Sequence, residues 1–259
     1  MKHSNNKQHN AYFTAKNRAR FEKSHWWYSG RRKIVMHLLK FLRLPRYAKA
    51  LEIGCACGSN LSEISRHIDI FGGDIDAAAC IYSSKKVPGR ITAFDCQKLP
   101  FADCSFDVVL SLDILEHLED DAAAVREIYR VLKDNGIALI TVPCFTSLWG
   151  QHDLAEKHFR RYSKYFLKEI LRKAGFAEKQ LSYFNTILFT PIAVVRLLGK
   201  NFFKRKKIQV DFREIPQPIN DILSALFSFE RHFVTSGWLP FGLSLLAVVE
   251  KRVISQPVK

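Results

Sequence analysis

The 259-residue sequence predicts an α/β protein built on a doubly wound, mainly parallel sheet. Short apolar runs alternate with amphipathic helical patterns through the middle of the chain. A turn with two glycines, ALEIGCACGSN at 50–60, joins the first apolar run to the first helical pattern. The run FDVVLSL at 106–112 is apolar enough to be buried on both faces, which is typical of a central parallel strand. Sheets of this kind bind ligands at the carboxyl ends of their strands.

Seven apolar runs are predicted to be strands. In chain order they are KALEIG, DIFGGDID, RITAFD, FDVVLSL, IALITVP, EKQLSYF and LSLLAVVEK. The intervening helices are expected at SNLSEISRHI, AAACIYSSKK, DDAAAVREIYRVLKDNG and SKYFLKEILRKAGF. Asp120 or Asp121 can cap the start of the third helix, Asn135–Gly136 is expected to end it, and Gly175 is expected to end the fourth.

A single domain over 1–259 accounts for this organisation. Its predicted parts are a basic, helical N-terminal cap (1–46), a ligand-binding core (47–185), a helical insertion or lid (186–240), and the last strand with a tail (241–259). The cap and the insertion lie outside the alternation of strands and helices. We expect both to cover the ligand edge of the sheet.

The first ten residues, MKHSNNKQHN, contain no apolar segment, so no secretory signal is expected. The most apolar stretch, TILFTPIAVVRLLG at 186–199, is interrupted by Pro191 and Arg196, so no transmembrane helix is expected either. The six cysteines show no C-x-x-C pair and no disulfide-type spacing. Together these features predict a cytoplasmic protein with reduced thiols.

Positive charge is concentrated in two places. The chain carries a net charge of +15, and residues 1–50 contain 13 Lys and Arg residues against one acid, Glu22. A second basic run, KNFFKRKK, occupies 200–207. Such regions attract phosphates, anionic lipid or an acidic substrate, and they also occur simply as soluble basic surfaces.

The turn at 50–60 is the main candidate binding element. Gly54 and Gly58 let the backbone approach a ligand closely, and the free N–H groups at the following helix start favour a negative group. A dinucleotide fingerprint would need glycine where Ala56 and Ser59 stand, which weakens a nicotinamide interpretation.

Glu52 comes two residues before the first glycine of this turn. A carboxylate there would repel a pyrophosphate and suits a ligand that carries an ammonium or sulfonium charge. Cys55 and Cys57 form only a C-x-C pair, without a second pair of ligands nearby, so they are interpreted as small residues tolerated in a tight turn.

LEIGCACG resembles the first motif, E/D-x-G-x-G-x-G, of the class I S-adenosylmethionine-dependent methyltransferases. The similarity is greatest to the small-molecule (type 11) group that includes the ubiquinone-biosynthesis type, and it covers about 47–177 and the last strand. It implies a Rossmann-like sheet of seven strands with helices on both faces and an antiparallel last strand. It also implies S-adenosylmethionine as the cofactor, bound at Glu52, Gly54, Cys55, Ala56 and Gly58.

Further cofactor contacts follow from the same resemblance. GGDID matches the end of the second strand, where Asp74 would hold the ribose hydroxyls and Ile75 would lie against the adenine. Asp95 matches the residue near the adenine amino group, with Cys96 beside it. Ser111, at the end of the fourth strand, would lie under the methyl donor. Purely structural roles remain open as well. Asp74 could be a helix cap, Asp95 could form a turn, and Glu52 could pair with an N-terminal cation.

A base is needed if the methyl acceptor is a hydroxyl group. The candidates are His117, in LEHL after the fourth strand, and His152 and His158, in WGQHDLAEKHFRRYS after the fifth. Each of them could also be structural. Arg160, Arg161 and Tyr162 could hold an anionic acceptor or pair with nearby acids. No metal is predicted, although Glu116, His117 and His152 could form a ligand set.

HWWYSGRRKIV at 25–35 is similar to an aromatic and basic stretch that precedes this fold in some bacterial relatives. Trp26, Trp27 and Tyr28 are predicted either to close over the cofactor, with Arg31 or Arg32 reaching a carboxylate, or simply to pack on the sheet.

The resulting hypothesis is methyl transfer to a small-molecule, glycan or lipid-linked acceptor, most simply at oxygen. The apolar stripe of Ile222, Leu226, Phe229 and Phe233 belongs either to a lid or to a surface that touches the inner face of a membrane. RNA or another nucleic acid is the alternative acceptor, raised by the basic N-terminal region, but SLDIL stands where amino-directed enzymes carry N/D-P-P-Y/F. A nicotinamide dehydrogenase and a binding protein without catalysis fit less well, and the oligomeric state is not predicted.

Overall fold

A computed structural model describes residues 15–202, 215–237 and 239–252 of the chain. The first 14 residues of the cap, positions 203–207 of the second basic run and the tail from 253 therefore lie outside the described residues. The helices are α1 (Ala15–Ser24), α2 (Trp26–Phe41), α3 (Ser59–Ile64), α4 (Ala77–Ser84), α5 (Asp121–Val131), α6 (Gln151–Ala155), α7 (Lys164–Lys173), α8 (Phe189–Phe202), α9 (Gln217–Phe229) and α10 (Arg231–Val234). Single 3₁₀ turns occupy Leu115–His117 and Thr146–Leu148.

The seven predicted strands form one sheet. They are β1 (Lys49–Ile53), β2 (Asp69–Asp74), β3 (Ile91–Ala93), β4 (Phe106–Leu112), β5 (Leu132–Pro143), β6 (Phe176–Phe184) and β7 (Ser244–Lys251). Their order is β3-β2-β1-β4-β5-β7-β6, and β7 runs antiparallel to both of its neighbours. The predicted Rossmann-like class, including the antiparallel last strand, is confirmed. The order places the ends of β1 and β4 side by side, with Ile53 opposite Ser111.

Hydrophobic residues fill both faces of this sheet, as the apolar character of β4 predicts. Val109 belongs to a core cluster with Val125 of α5 and Leu167 of α7. Its neighbours Val108 and Leu110 belong to a second cluster, which contains residues of α2 and α3. Successive strand residues point to opposite faces, so β4 contributes to both cores. α2 therefore serves as one of the helices that cover the sheet.

The helix predicted over 120–136 is shorter than expected. α5 ends at Val131, and Leu132 already begins β5, opposite Phe106. Asn135 has a positive φ of 61° and lies in an irregular stretch of β5, where the register against β4 shifts. Leu132 is fully buried. It continues the apolar stripe of the helix and is also the first residue of the strand, so helical spacing alone could not locate the boundary. Gly175, with φ +99°, does follow α7 as predicted.

The insertion is helical and packs on the cap. In α9 the packed face carries Asn220, Ser224 and the fully buried Phe227. Asn220 accepts a hydrogen bond from the backbone N–H of Trp26 at 2.8 Å and donates one to the carbonyl of Ser24 at 2.7 Å. The Phe227 ring stacks on Trp27 with 5.0 Å between centroids. Across the described ranges, we find no helix with the length and apolar character required to cross a membrane.

Candidate functional site

The turn after β1 has the conformation that its glycines predict. Gly54 and Gly58 have φ of +66° and +75°, and Ala56 between them also has a positive φ, of 45°. A Cβ atom on Gly54 would come within 1.9 Å of the Ile114 side chain, so a side chain at this position would require Ile114 to move. Gly58 is the N-cap residue of α3, so the turn presents backbone N–H groups at a helix start.

Glu52 is buried at the end of β1, with 1 % of its surface exposed. Its Oε1 accepts a hydrogen bond from Asn60 Nδ2 at 2.8 Å, and its Oε2 has no hydrogen-bond partner. Burial raises the pKa of this carboxyl group to about 7, against the lowering effects of Asn60 and the more distant Arg31. A buried, half-satisfied carboxylate of this kind favours a ligand that brings a positive charge.

Asp74 ends β2 and holds the turn together. Its Oδ2 accepts from the backbone N–H of Ala56 at 2.9 Å, and its Oδ1 accepts from the N–H of Asp76 at 3.0 Å. The helix-cap alternative applies to Asp76 instead, whose Oδ1 accepts from Ala78 N–H at the start of α4. Ile75 is 78 % exposed beside Asp74, so it offers an apolar surface at the ligand edge.

The remaining cofactor candidates differ in their surroundings. Asp95 is exposed, and its Oδ1 accepts from Gln97 N–H at 2.8 Å, as a turn former would, while Cys96 next to it is half-buried. Ser111 is fully buried at the end of β4, and its Oγ has no hydrogen-bond partner. Ser111 and Glu52 thus supply two orphaned buried oxygens on neighbouring strands.

Glu22 is a residue of this site that the sequence analysis missed. Its carboxylate reaches from α1 to the glycine turn and accepts from the N–H of Cys57 at 2.9 Å and of Ser59 at 3.4 Å. The negative group that the helix start was expected to bind is therefore supplied by the cap itself. The only prior signal was that Glu22 is the single acid among the first 50 residues.

Arg31 also connects the cap to the ligand edge. The buried guanidinium forms an ion pair with Asp113 and donates to the carbonyl of Leu112 at 3.3 Å. Arg32 instead donates to the backbone carbonyl of Glu22 at 3.1 Å. The carboxylate that Arg31 reaches is thus one of the protein's own. Trp27 of the cap stacks on Phe184 of β6 and on Phe227 of the insertion.

Two of the three candidate histidines meet in one cluster. His117 lies in the 3₁₀ turn after β4, and its ring meets that of His158 edge-on, with 4.6 Å between centroids. Burial, followed by the charge on His158, lowers the pKa of His117 to about 4. Glu116 completes the cluster: it is 1 % exposed and its Oε2 has no hydrogen-bond partner. Burial and the nearby Asp113 raise the pKa of the Glu116 carboxyl group well above its usual value.

Asp153 orients the ring of His158. Its Oδ1 lies 3.0 Å from His158 Nδ1, and Arg161 binds the same carboxylate through Nε at 2.8 Å and Nη2 at 3.0 Å. Asp153 is fully buried. Burial alone would raise its pKa, but the hydrogen bonds from His158 and Arg161 outweigh it and hold the pKa well below the usual value. Asp153 therefore acts as a fixed acceptor, leaving His158 Nε2 as the ring nitrogen available to a ligand.

His152 stands beside this cluster rather than in it. Its ring meets that of His158 with 5.8 Å between centroids, and burial lowers its pKa to about 3. The structure groups Glu116 and His117 with His158, and not with His152. The sequence could not distinguish the two histidines, since the choice depends on how the chain turns after α6.

The sequence allows two roles for Arg160, Arg161 and Tyr162, namely binding an anionic acceptor and pairing with nearby acids. The structure shows internal pairing: Arg160 and Tyr162 both donate to Asp121, at 3.1 Å and 2.6 Å. Arg161 is committed to Asp153 and to the carbonyl of Cys144. All three side chains are thus bound to groups of the protein itself.

All six cysteines have free thiols. Cys55 and Cys57 are both buried in the glycine turn, and burial raises the pKa of each thiol. They fill space in the turn, as small residues would. Cys104 is the one exposed cysteine, in the loop before β4.

The residues at this edge fit S-adenosylmethionine. Glu52 offers an unpartnered buried oxygen to its positive charge, and Ser111 offers a second unpartnered oxygen on the adjacent strand. Asp74 stands at the end of β2, where a carboxylate can accept from ribose hydroxyls. The donor set therefore suits a cationic nucleoside better than a pyrophosphate.

Sequence comparisons lead to the same cofactor. A family model described as "Methyltransferase domain" matches residues 51–140. A candidate S-adenosylmethionine-dependent methyltransferase of Mycolicibacterium smegmatis is 32 % identical over 132 residues, covering 49 % of this chain and 51 % of the relative. A ubiquinone/menaquinone biosynthesis C-methyltransferase of Citrifermentans bemidjiense is 29 % identical, covering 64 % and 66 %. Phosphoethanolamine N-methyltransferase 3 of Arabidopsis thaliana is 26 % identical, covering 58 % and 33 %. The chain thus covers about half the length of the Mycolicibacterium relative and about a third of the length of the Arabidopsis relative.

Solved structures share the fold. A candidate methyltransferase of Bacillus halodurans superposes with a TM-score of 0.56 at 16 % identity, covering 85 % of this chain and 99 % of that one. Phosphoethanolamine N-methyltransferase 2 of Haemonchus contortus, solved with S-adenosyl-L-methionine, gives 0.55 at 17 % identity, covering 85 % and 52 %. Residues 51–140 therefore match a methyltransferase domain, and the chain is similar to the class I S-adenosylmethionine-dependent methyltransferases of the small-molecule type.

Proposed function

We propose that this protein transfers the methyl group of S-adenosylmethionine to an oxygen atom of a small-molecule, glycan or lipid-linked acceptor. The main support is a chain of hydrogen bonds, in which Arg161 binds Asp153 and Asp153 binds His158. His158 lies at the same edge of the sheet as the candidate cofactor residues. A His ring whose Nδ1 is held by a buried carboxylate keeps Nε2 free to accept a proton. Deprotonation of a hydroxyl group is the step that oxygen methylation adds to a direct in-line transfer.

The chain's own residues would divide the work as follows. The methyl donor would be held and oriented by the residues at the ends of β1, β2 and β4 and after β3. These are Glu52, Gly54, Cys55, Ala56, Gly58, Asp74, Ile75, Asp95, Cys96 and Ser111. S-adenosylmethionine itself supplies the activated methyl group when bound. His158 is the first candidate for the base. His117 and His152 are weaker candidates, because burial lowers the pKa of both and so favours their unprotonated, weakly basic forms.

The experiment measures S-adenosylhomocysteine formation by the full chain. The acceptor probes are catechol, a short-tailed isoprenoid hydroquinone and a methyl glycoside for oxygen, with phosphoethanolamine for nitrogen. Mass spectrometry of the product distinguishes a methyl ether from an N-methyl or C-methyl product. We expect a methyl ether, lost in His158→Ala by roughly a hundredfold or more. His67→Ala, exposed before β2 at the opposite edge, is the control. Methylation only at nitrogen or carbon would contradict the proposal.

A lipid-linked acceptor is favoured by the surface of the insertion. Ile222, Leu226, Phe229 and Phe233 recur at helical spacing along α9 and α10, and each is between 39 % and 59 % exposed. The opposite face of α9 is already used to pack on the cap. We propose that this stripe rests on a membrane surface while the insertion also covers the ligand edge.

Vesicle sedimentation tests the membrane contact. We expect the full chain to sediment with phosphatidylglycerol-containing vesicles and the double variant Leu226→Ser, Phe229→Ser to stay in solution. Ile81→Ser removes an apolar residue of α4 that is more exposed than either Leu226 or Phe229, and it should leave sedimentation unchanged. Equal sedimentation of all three proteins would contradict a role for the stripe.

Nucleic acid as the acceptor receives less support from the cap. Its described arginines largely make internal contacts: Arg18 lies 3.8 Å from Asp76, Arg31 pairs with Asp113, and Arg32 binds backbone carbonyls. Tight filter binding of tRNA that weakens steeply with salt would revive this alternative.

A further inference from the structure

Glu116, His117 and His158 bring one carboxylate and two imidazoles together at the ligand edge. We infer that these three side chains form a binding site for a divalent transition-metal ion. Their ligand atoms all lie within 4.8 Å of one another. Ligands bound at about 2.0–2.2 Å around one ion lie roughly 3 Å apart, so small side-chain rotations would close the site.

The backbone brings the two contributing segments together. Glu116 and His117 belong to the 3₁₀ turn after β4, whereas His158 follows α6. The N–H of Phe159, next to His158, donates to the carbonyl of Glu116 at 2.7 Å. This bond joins residues 43 positions apart beside the cluster itself, so the three side chains are positioned by a direct bond between their segments.

Both imidazole rings are oriented as metal ligands usually are. His158 Nδ1 is held by Asp153, which is itself fixed by Arg161 and by the N–H of Gly150 at 2.8 Å. The His117 ring hydrogen-bonds to the backbone of Glu156. A carboxylate or backbone carbonyl on the second ring nitrogen is the usual outer contact of a metal-bound histidine, because it fixes the ring and raises its basicity.

Glu116 supplies an independent indication of a ligand. It is 1 % exposed, and its Oε2 has no hydrogen-bond partner. Leaving a buried carboxyl oxygen unsatisfied is costly, and a cation at the cluster would satisfy it. Arg31 does not compensate it with a direct bond, since its guanidinium pairs with Asp113.

The donor set narrows the class of ion. Two imidazoles and one carboxylate suit zinc, cobalt, manganese or iron(II), whereas calcium and magnesium prefer all-oxygen sites. Three protein ligands leave open positions, as in catalytic rather than structural metal sites. The chemical role rests on the proposed methyl transfer to oxygen, but not on His158 as the base. With the ion bound, His158 would be a ligand, and the ion would bind the acceptor oxygen and lower the pKa of its hydroxyl so that the proton passes to solvent water.

Cobalt(II) titration of the chelator-stripped, tag-free full chain tests the binding without methyl donor or acceptor. Calorimetry and visible absorption should give saturable binding of a single ion per chain. Glu116→Gln and His117→Gln should each weaken it by at least about tenfold. His67→Ala should bind as the unaltered chain does. Equal affinity in all four proteins, or no saturable binding, would overturn the site.

A second measurement covers the case in which circular dichroism shows that both variants are misfolded. Pulsed electron paramagnetic resonance of the unaltered chain loaded with manganese(II) should show coupling to two imidazole nitrogens. Coupling to none would equally overturn the site. Cobalt binding without methyl transfer to any oxygen probe would refute the proposed function and leave the metal site standing. Methyl ether formation without cobalt binding would refute the metal site and leave the proposed function standing.

Discussion

The Glu22 carboxylate accepts a 2.9 Å hydrogen bond from the backbone N–H of Cys57, 35 residues further along the chain. This contact joins the N-terminal cap to the turn that precedes α3. It puts a negative charge where the helix start would otherwise attract a ligand's carboxylate. A cofactor carboxylate that bound at this helix start would therefore compete with Glu22 for the same backbone donors.

Replacing Glu22 by glutamine should raise the affinity for S-adenosylhomocysteine by about two- to fivefold. The amide oxygen can still accept the hydrogen bond from Cys57, but the longer bond from Ser59 and the charge are lost, and a charge at a helix start is worth about 0.3–1 kcal/mol. Isothermal calorimetry measures the change. Glu63→Gln, an exposed acid of α3 that pairs with Arg66, is the matched control. Weaker binding in Glu22→Gln would mean that Glu22 itself contacts the cofactor's positive charge.

Glu52→Gln should strengthen the fold and weaken cofactor binding. Burial raises the pKa of Glu52 from 4.5 to about 7, so its ionisation is disfavoured in the folded state. The free energy of unfolding should therefore fall as the pH rises from about 4.5 to about 7. At pH 8 the glutamine variant should be more stable than the unaltered chain by about 2–3 kcal/mol, with no gain at pH 4. Urea denaturation at both pH values measures this.

The same variant should bind S-adenosylhomocysteine about tenfold more weakly, because a charge-assisted hydrogen bond is worth about 1.5–3 kcal/mol. In the unaltered chain, affinity should fall as the pH drops below about 7, where Glu52 becomes protonated. The glutamine variant should lose this dependence. Unchanged affinity would place Glu52 outside the cofactor site.

Ala56→Gly should stabilise the protein by about 0.5–1 kcal/mol. Ala56 has a φ of +45°, where a Cβ costs about 1–2 kcal/mol, and only part of that gain is offset by the greater freedom of glycine in the unfolded chain. Cofactor affinity should stay equal or improve. Ala78→Gly, at an exposed position of α4, should instead destabilise by about 0.5–1 kcal/mol. A loss of stability in Ala56→Gly would show that the methyl group packs favourably in the turn.

Arg161→Met should lower the free energy of unfolding by about 3–5 kcal/mol at pH 7, because it leaves Asp153 buried without its cation. The pKa of Asp153 is held below its unfolded value, so the pair contributes fully above that value and loses its contribution as the pH falls through the folded pKa. The difference between the two proteins should therefore shrink in acid. Arg172→Met removes an exposed partner of Glu169 and should behave like the unaltered chain.

The sheet could be predicted from the sequence because its signal is local. The apolar character of 106–112, the switch from strand to helical spacing after Gly54 and the stop at Gly175 each lie within one short segment. The end of α5 was missed because Leu132 satisfies helical and strand burial at once. Local spacing cannot decide between two elements that bury the same side chain.

The partners within the site could not be predicted, because they join distant segments. Arg31 and Asp113 are 82 positions apart, and Glu22 reaches the turn from another helix. His152 lies within the short α6 segment and His158 follows it, and the sequence offers no chemical reason to prefer one imidazole over the other. Such pairings depend on how α1, α2 and α6 are placed over the finished sheet.

The distribution of the cysteines makes the chain selectively addressable by thiol reagents. Burial raises the pKa of the five thiols other than that of Cys104, which suppresses their reactive thiolate forms. A maleimide fluorophore should therefore attach first at Cys104, before β4 and away from the carboxyl ends of the strands. The unmutated protein thus offers its own labelling position, from which ligand-induced changes in the cap could be followed by energy transfer to a second dye.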